Sequence, residues 1–97
     1  MVKHIIIWEL KEEFNTDAIK KDMKESLEEL KGVIPGLLEM KIQIEKLPSS
    51  KGDVMLYSEF ENEEALKNYA VHPAHVEVAD TLVRPFTAQR SCLDFEI

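Results

Sequence analysis

The first ten residues constrain the fold more than any other stretch of the chain. Residues 2–10 carry apolar side chains at both odd and even positions. Successive side chains of a β-strand point to opposite faces of the sheet, so a strand with this pattern must be covered on both faces. We expect His4 and Trp8 on one covered face of a strand. Ile5 and Ile7 are expected on the other.

Helical and strand periodicities alternate through the first half of the chain. A helix is predicted over 16–31, because Thr16 and its neighbours offer N-cap oxygens and Gly32 can end the helix. Alternating apolar and polar residues then predict a second, half-buried strand, whose apolar positions are Leu38, Met40, Ile42 and Ile44. The turn before that strand is predicted at Ile34-Pro35-Gly36.

The second half of the chain repeats this alternation. A third strand is predicted from Val54 to Phe60, with apolar residues on both faces. Asn62 caps a predicted second helix that breaks at His72-Pro73 and ends at Arg84-Pro85. Beyond the break, the predicted inner stripe consists of His75, Val76, Ala79 and Leu82. A fourth strand is predicted over 86–97.

The order βαββαβ predicts a ferredoxin-like α+β fold, in which both helices pack on one face of an antiparallel sheet. A chain of 97 residues forms one domain, which we place at 1–97. The sheet face without helices would carry four large side chains, namely Ile5, Ile7, Met55 and Tyr57. Such a face is too apolar for a monomer in water, so we expect a homodimer whose sheets pack face to face.

Composition limits the classes of partner. The chain has 19 acidic and 12 basic residues and a net charge of −7, whereas nucleic acids are bound by clustered Lys and Arg. The apolar run at residues 5–8 is too short for a signal peptide, and none approaches the about 18 residues of a membrane span. The single Cys92 fits a reducing compartment. We therefore expect a cytoplasmic protein that binds neither nucleic acid nor membrane.

The segment from Tyr69 to His75 concentrates the groups suited to chemistry. It holds two of the three histidines and one of the two tyrosines. Pro73 is favourable at the first position of a helix, which predicts His72 at the N-cap. A helix start offers free N–H groups and partial positive charge, which suit an oxyanion and lower the pKa of a nearby imidazole.

Tyr69 and His75 are the candidate catalytic pair. If the two rings meet, His75 can act as a general base on an acidic C–H while the Tyr69 phenol stabilises the enolate oxygen. The alternative is structural for both residues. Tyr69 would then be a buried ring, and His75 a core histidine bound to a backbone carbonyl.

Four further residues are candidates for ligand binding: His4, Trp8, Leu56 and His72. His4 shares a strand face with Trp8, so it either borders a pocket with Leu56 or is a satisfied core ring. His72 either contacts the ligand or serves only to cap a helix.

No metal or cofactor is expected from the sequence. The spacing of His72 and His75 is not the i, i+4 of a helical zinc pair, and a third ligand such as Asp80 would have to join without a motif. Three glycines cannot build a phosphate-binding loop.

Five segments of the chain together resemble a known family. They are Val2–Trp8, Ile34–Leu37, Ser58–Glu61, Tyr69 with His72–Val76, and Leu93–Phe95. This set resembles the stress-responsive A/B barrel family, often called Dabb. The resemblance implies a dimeric α+β barrel, mostly found as small proteins without an assigned biochemical role.

The same resemblance implies an activity. A few plant relatives are polyketide cyclases that close a linear tetraketide by aldol condensation without a metal or cofactor. Their working pair is similar to Tyr69 and His75 here, and the histidine lining their pocket corresponds to His4.

Three functions stay open at this point. The first is a cofactor-free lyase or cyclase that acts on a small apolar carbonyl compound through Tyr69 and His75. The second is a non-catalytic dimer that binds a hydrophobic ligand or stabilises other proteins under stress. The third is a monooxygenase-like protein that acts on a haem or a quinol.

Overall fold

The computed structural model describes residues 1–97. Its strands are β1 Val2–Leu10, β2 Leu37–Gln43, β3 Val54–Phe60 and β4 Thr87–Glu96, and its helices are α1 Asp17–Glu28, α2 Glu63–Val71 and α3 Pro73–Val78. A π-helical turn at Ala79–Val83 and a 3-10 turn at Arg84–Phe86 lead from α3 into β4, and a 3-10 turn at Glu12–Phe14 precedes α1. The predicted order of elements is confirmed.

The four strands form one antiparallel sheet in the order β2-β3-β1-β4. β1 is therefore an inner strand, paired with β3 on one side and β4 on the other. Ile6, for example, lies between Leu56 and Cys92. All helices lie on one face of the sheet, which is the α+β arrangement that the sequence predicted.

The core lies between the helices and the even-numbered side chains of β1 and β3. Phe60 of β3 and Met23 of α1 are completely buried. The predicted alternation is confirmed for both strands, since every second residue is buried and the residues between are more exposed.

Polar side chains fix the starts of the two long helices. Thr16 Oγ1 accepts a hydrogen bond from Ile19 N at 3.3 Å, and Asn62 Oδ1 accepts one from Ala65 N at 2.8 Å. These predicted caps are confirmed. α1 ends at Glu28, earlier than predicted, because Leu30 N donates to Leu27 O at 3.1 Å in a tighter turn.

Gly36 allows the turn before β2 to pack closely against α2. Its φ is +82°, in the left-handed region, and a Cβ at this position would lie 2.6 Å from Ala65 Cβ. The Gly36 carbonyl also accepts a hydrogen bond from Glu61 N at 3.0 Å. Only glycine satisfies both the backbone angle and the close approach.

The predicted face of β2 is wrong at its first residue. The register against β3 shifts between Leu37 and Glu39, which is a bulge. As a result Leu37 is buried and Leu38 is 40% exposed, although Met40 and Ile42 are buried as expected. An extra residue in one strand reverses the alternation locally, and the alternation alone does not show where that residue falls.

The inner stripe predicted after the His72-Pro73 break is also wrong at one residue, Leu82. The chain follows a π-helical turn from Ala79 to Val83, which is wider than an α-turn. The turn rotates the next inward position by one residue, so Val83 is buried and Leu82 is only half-buried.

The face opposite the helices carries the residues predicted for it. Ile7 is 46% exposed, and Ile5, Met55 and Tyr57 are half-buried. Leu93, which was not among the predicted residues, is paired with Ile5 across the β1–β4 ladder and is 63% exposed. Lys3 Nζ donates to Glu59 Oε2 at 3.2 Å at one end of this face, and both groups also bond to the Tyr57 hydroxyl. None of the helices combines the length and the apolar composition needed to cross a membrane.

Candidate active site

A cavity of about 610 Å³ opens between the sheet and the helices α2 and α3. This volume is in the usual range for small-molecule sites. The polar residues that line the cavity are His4, Lys67, Tyr69, His75, Arg84, Thr87, Arg90, Cys92 and Asp94. Its apolar wall includes Ile6, Trp8 and Val83. A cavity of about 650 Å³ on the opposite sheet face contains no histidine or tyrosine, and one of about 660 Å³ beside β2 contains Tyr57 but no histidine.

The break at His72-Pro73 brings Tyr69 and His75 together. Tyr69 lies near the end of α2 and His75 in the first turn of α3. Because the chain turns at the break, the two ring centroids approach to 4.1 Å with an interplanar angle of 35°. The rings are in contact and border the same cavity.

Hydrogen bonding fixes which nitrogen of His75 carries the proton. His75 Nδ1 lies 3.2 Å from the Ala70 carbonyl oxygen, which can only accept, so Nδ1 donates. Nε2 is then the basic nitrogen of the neutral ring. Burial lowers the pKa of His75, and the charges of Arg84 and Arg90 lower that pKa further. His75 is therefore neutral at pH 7 and can accept a proton.

Tyr69 has the opposite character. Its side chain is 2% exposed, and burial raises the pKa of its phenol. The hydroxyl makes no hydrogen bond within the chain. Since every fully buried side-chain polar atom does have a partner, the hydroxyl oxygen is not fully buried and faces the cavity that Tyr69 lines. The Tyr69 hydroxyl is therefore protonated at neutral pH and able to donate to a group in the cavity.

His4 is held from the neighbouring strand. It lies opposite Asp94 in the β1–β4 register, and His4 Nδ1 is hydrogen-bonded to Asp94 Oδ1. The His4 and Tyr69 ring centroids are 6.2 Å apart, with the rings edge to face. His4 therefore borders the cavity and is also a ring whose orientation is fixed by a hydrogen bond. The two alternatives considered for it, a pocket residue and a satisfied core ring, both apply.

Cys92 lies beside this pair. Its Sγ is 3.7 Å from His4 Nδ1 and 3.4 Å from Asp94 Oδ1. Burial and the hydrogen bond to Asp94 raise the pKa of the Cys92 thiol. A protonated thiol is a poor nucleophile, so Cys92 serves as a wall residue at neutral pH.

The trio His4, Cys92 and Asp94 has the residue types of a metal site, with ligand atoms within 4.8 Å of one another. This trio differs from the His72, His75 and Asp80 combination considered in the sequence. Arg84 and Arg90 line the same cavity, and their positive charges oppose the binding of a divalent cation.

The other predicted ligand-binding residues occupy three different environments. Trp8 lines the cavity, as the hypothesis required. Leu56 is fully buried in the core of the central strand β3 and does not line the cavity. His72 also lies outside the cavity, because its Nδ1 accepts a hydrogen bond from Ala74 N at 3.1 Å and caps α3. The predicted capping role of His72 is confirmed.

Asp94 and Arg90 were not identified as site residues from the sequence. The alternation in β4 does place both on one face of the strand. Their proximity to His4 and Trp8 depends on the β1–β4 register, and no hairpin turn connects these two strands.

The fold and cavity define a small α+β protein of the ferredoxin-like class with a polar-lined pocket under its helices. The model of the "Stress responsive A/B Barrel Domain" family, Dabb, matches residues 2–97. The chain therefore belongs to this family. A search of curated proteins by sequence found no match.

Solved structures agree with this assignment. A dimeric protein of unknown function from Bacteroides fragilis has 30% sequence identity and a TM-score of 0.89, with 99% of this chain and 95% of that chain covered. Hydroxynitrile lyase from Passiflora edulis has 18% identity and a TM-score of 0.84, with 99% and 92% covered. An antibiotic biosynthesis monooxygenase has 16% identity and a TM-score of 0.78, with 100% and 98% covered. The last two show likeness of fold alone.

Proposed function

We propose that this protein is a cofactor-free lyase or cyclase that acts on a small, largely apolar carbonyl compound. The observation that carries the proposal is the contact between the Tyr69 and His75 rings, with centroids 4.1 Å apart, in one cavity. The pair combines a neutral imidazole with a protonated phenol, which are the base and the acid needed to form an enolate.

The proposed mechanism begins with proton transfer. His75 Nε2 takes a proton from the carbon next to the substrate carbonyl, and the Tyr69 hydroxyl donates a hydrogen bond to the carbonyl oxygen as it becomes an enolate. In the condensing direction the enolate carbon attacks a second carbonyl carbon, and protonated His75 gives its proton to the alkoxide that forms. In the cleaving direction the steps run in reverse: His75 takes the proton of the β-hydroxyl, the carbon–carbon bond breaks to leave a carbonyl and an enolate, and His75 returns the proton to the enolate carbon. His4 supports the Tyr69 side of the cavity, with its orientation held by Asp94.

The proposal includes a homodimer formed through the sheet faces. Ile7 and Leu93 lie exposed on the face without helices, and the Bacteroides fragilis protein with 30% identity is described as dimeric. A second copy would cover this apolar surface. The cavity under the helices lies on the other face of the sheet, so a dimer of this kind leaves the cavity accessible.

The proposal also includes a cytoplasmic location. The one cysteine, Cys92, is a free thiol. Proteins of the cytosol keep their thiols reduced, which agrees with a fold that needs no disulfide.

A non-catalytic dimer that binds a hydrophobic ligand is the second candidate. The observation in its favour is the hydrogen bond between His75 Nδ1 and the Ala70 carbonyl, which is the bond expected of a structural histidine. In this case Tyr69 and His75 would shape the pocket and carry out no proton transfer.

Exchange of carbon-bound protons separates the two candidates. The probe is 4-phenylbutan-2-one in D₂O at pH 7, and deuterium uptake next to its carbonyl is followed by proton NMR. The proposed enzyme should accelerate uptake over buffer. Tyr69→Phe and His75→Gln should each lower that acceleration by about a hundredfold or more, the usual contribution of a general acid or base.

The other tyrosine provides the matched control. Tyr57 lies on the opposite sheet face, so Tyr57→Phe removes the same hydroxyl without touching the cavity. Uptake no faster than in buffer, or an equal loss in Tyr57→Phe and Tyr69→Phe, would reject the acid/base pair.

A further inference from the structure

The cavity has the opposite charge to the protein that surrounds it. The chain has 19 acidic and 12 basic residues, for a net charge of −7. The cavity lining nevertheless includes three cations and a single acidic residue, Asp94. Asp94 is already hydrogen-bonded to His4. The remaining charge in the cavity is therefore positive.

Both arginines of the chain belong to this cavity. Arg84 and Arg90 are the only arginines among the 97 residues, and both line it. Lys67 is the third cation, and the other nine lysines lie elsewhere. Arginine presents a planar fork of N–H donors that matches the two oxygens of a carboxylate, which lysine cannot do.

Arg90 is the cation best placed for a ligand. Arg84 is paired with Asp80, whereas Arg90 takes part in none of the ion pairs of the chain. Arg90 lies opposite Trp8 in the β1–β4 register, beside the apolar wall. The charge of Arg90 also acts on both candidate catalytic rings. Burial raises the pKa of Tyr69 and the Arg90 charge opposes that rise, whereas burial lowers the pKa of His75 and the Arg90 charge lowers it further.

We infer that the ligand of this cavity carries a carboxylate next to an apolar body, and that Arg90 binds the carboxylate. Trp8 and Val83 then contact the apolar body. The inference deepens the proposed function by naming an oxo acid, or another carbonyl compound with an acid group, as the substrate class. It rests on that proposal only for the carbonyl group, because the carboxylate site is argued from the charges alone.

A pair of non-reacting probes tests the charge requirement. 4-Phenylbutanoate and 4-phenylbutanamide have nearly the same shape and differ in charge. Dissociation constants are measured by NMR titration of the ¹⁵N-labelled protein, including the side-chain Nε–H signals of Arg84 and Arg90. The carboxylate should bind about five- to tenfold more tightly at low salt, a modest factor because Arg90 is exposed. Its binding should shift the Arg90 signal.

Variants of Arg90 test the assignment of the residue. Arg90→Gln should remove the advantage of the carboxylate, and Arg90→Lys should retain part of it, because Lys keeps the charge and loses the fork. Lys21→Gln, which removes one positive charge from the exposed surface of α1, should leave the advantage unchanged. Equal affinity for the two probes, no binding of either, or an unchanged advantage in Arg90→Gln would overturn the inference.

The outcome is independent of the exchange assay. Preference for the carboxylate that depends on Arg90, together with no deuterium uptake, would reject the acid/base pair and retain the carboxylate site. Uptake that depends on Tyr69, together with equal affinity for the two probes, would retain the acid/base pair and reject the carboxylate site.

Discussion

His4 on β1 and Asp94 on β4 face each other across the sheet, and the Asp94 carboxylate accepts the hydrogen bond of His4 Nδ1–H. A carboxylate in this position selects one tautomer of the neutral ring and fixes its orientation. His4 is thereby held in one orientation at the wall of the cavity.

We predict that removing the Asp94 carboxylate changes the tautomer of His4. At pH 8, long-range ¹H–¹⁵N NMR should show His4 protonated at Nδ1 in the wild type. In Asp94→Ala this preference should be lost, because Nδ1 no longer has its acceptor. Asp22→Ala, which removes an exposed carboxylate from α1, should leave the His4 signals unchanged. The same tautomer in Asp94→Ala and the wild type would contradict the assigned role of Asp94.

We predict a loss of stability in acid that depends on His75. Burial lowers the pKa of His75 in the folded protein below its ordinary value of 6.5, so the unfolded chain takes up the proton first as the pH falls. The contribution of His75 to the free energy of unfolding is fully present above pH 6.5, and it decreases as the pH falls from there towards the lowered pKa. Urea midpoints measured from pH 7 to pH 5 should therefore fall more steeply in the wild type than in His75→Gln. Parallel curves would show that folding does not perturb His75.

We predict that Gly36 is less replaceable than Gly32. Both have positive φ, but only at Gly36 would a Cβ meet another atom, Ala65 Cβ at 2.6 Å. Gly36→Ala should cost roughly 2–4 kcal/mol, from backbone strain plus overpacking. Gly32→Ala should cost about 1–2 kcal/mol, from the backbone alone. Urea denaturation measures both, and equal losses would mean that the close approach to Ala65 does not matter.

We predict a dimer that depends on the sheet face. Light scattering after size exclusion should give the mass of a dimer at micromolar concentration. Ile7→Glu places a charge on the exposed sheet face and should shift the protein towards monomer. Val71→Glu is the control, because Val71 is 74% exposed on α2, on the side with the helices. A monomeric wild type would leave the apolar sheet face without an explanation.

The sequence predicted those parts of the fold that depend on local interactions. Caps at Thr16, Asn62 and His72 involve residues two or three positions apart, and each was predicted correctly. The proximity of Tyr69 and His75 followed from a single proline break. These features need no knowledge of distant parts of the chain.

The errors and omissions share a different cause. The bulge at Leu38 and the π-helical turn before Val83 each shift a periodic pattern by one residue, and the pattern itself is nearly the same with or without the shift. Asp94 was missed because its role depends on pairing between strands that no short turn connects. Such pairings are set by the packing of the whole domain.

The strand order has a kinetic consequence for the cavity. One wall of the cavity belongs to β1 and another to β4, and His4 and Asp94 are 90 positions apart in the chain. Contacts between residues so distant in sequence close the largest loops and form slowly. Arg90, Cys92 and Asp94 enter the cavity only when β4 has docked along β1. A folding intermediate with β1, β3 and the helices in place would thus hold Tyr69 and His75 side by side, yet lack the wall against which a substrate could bind.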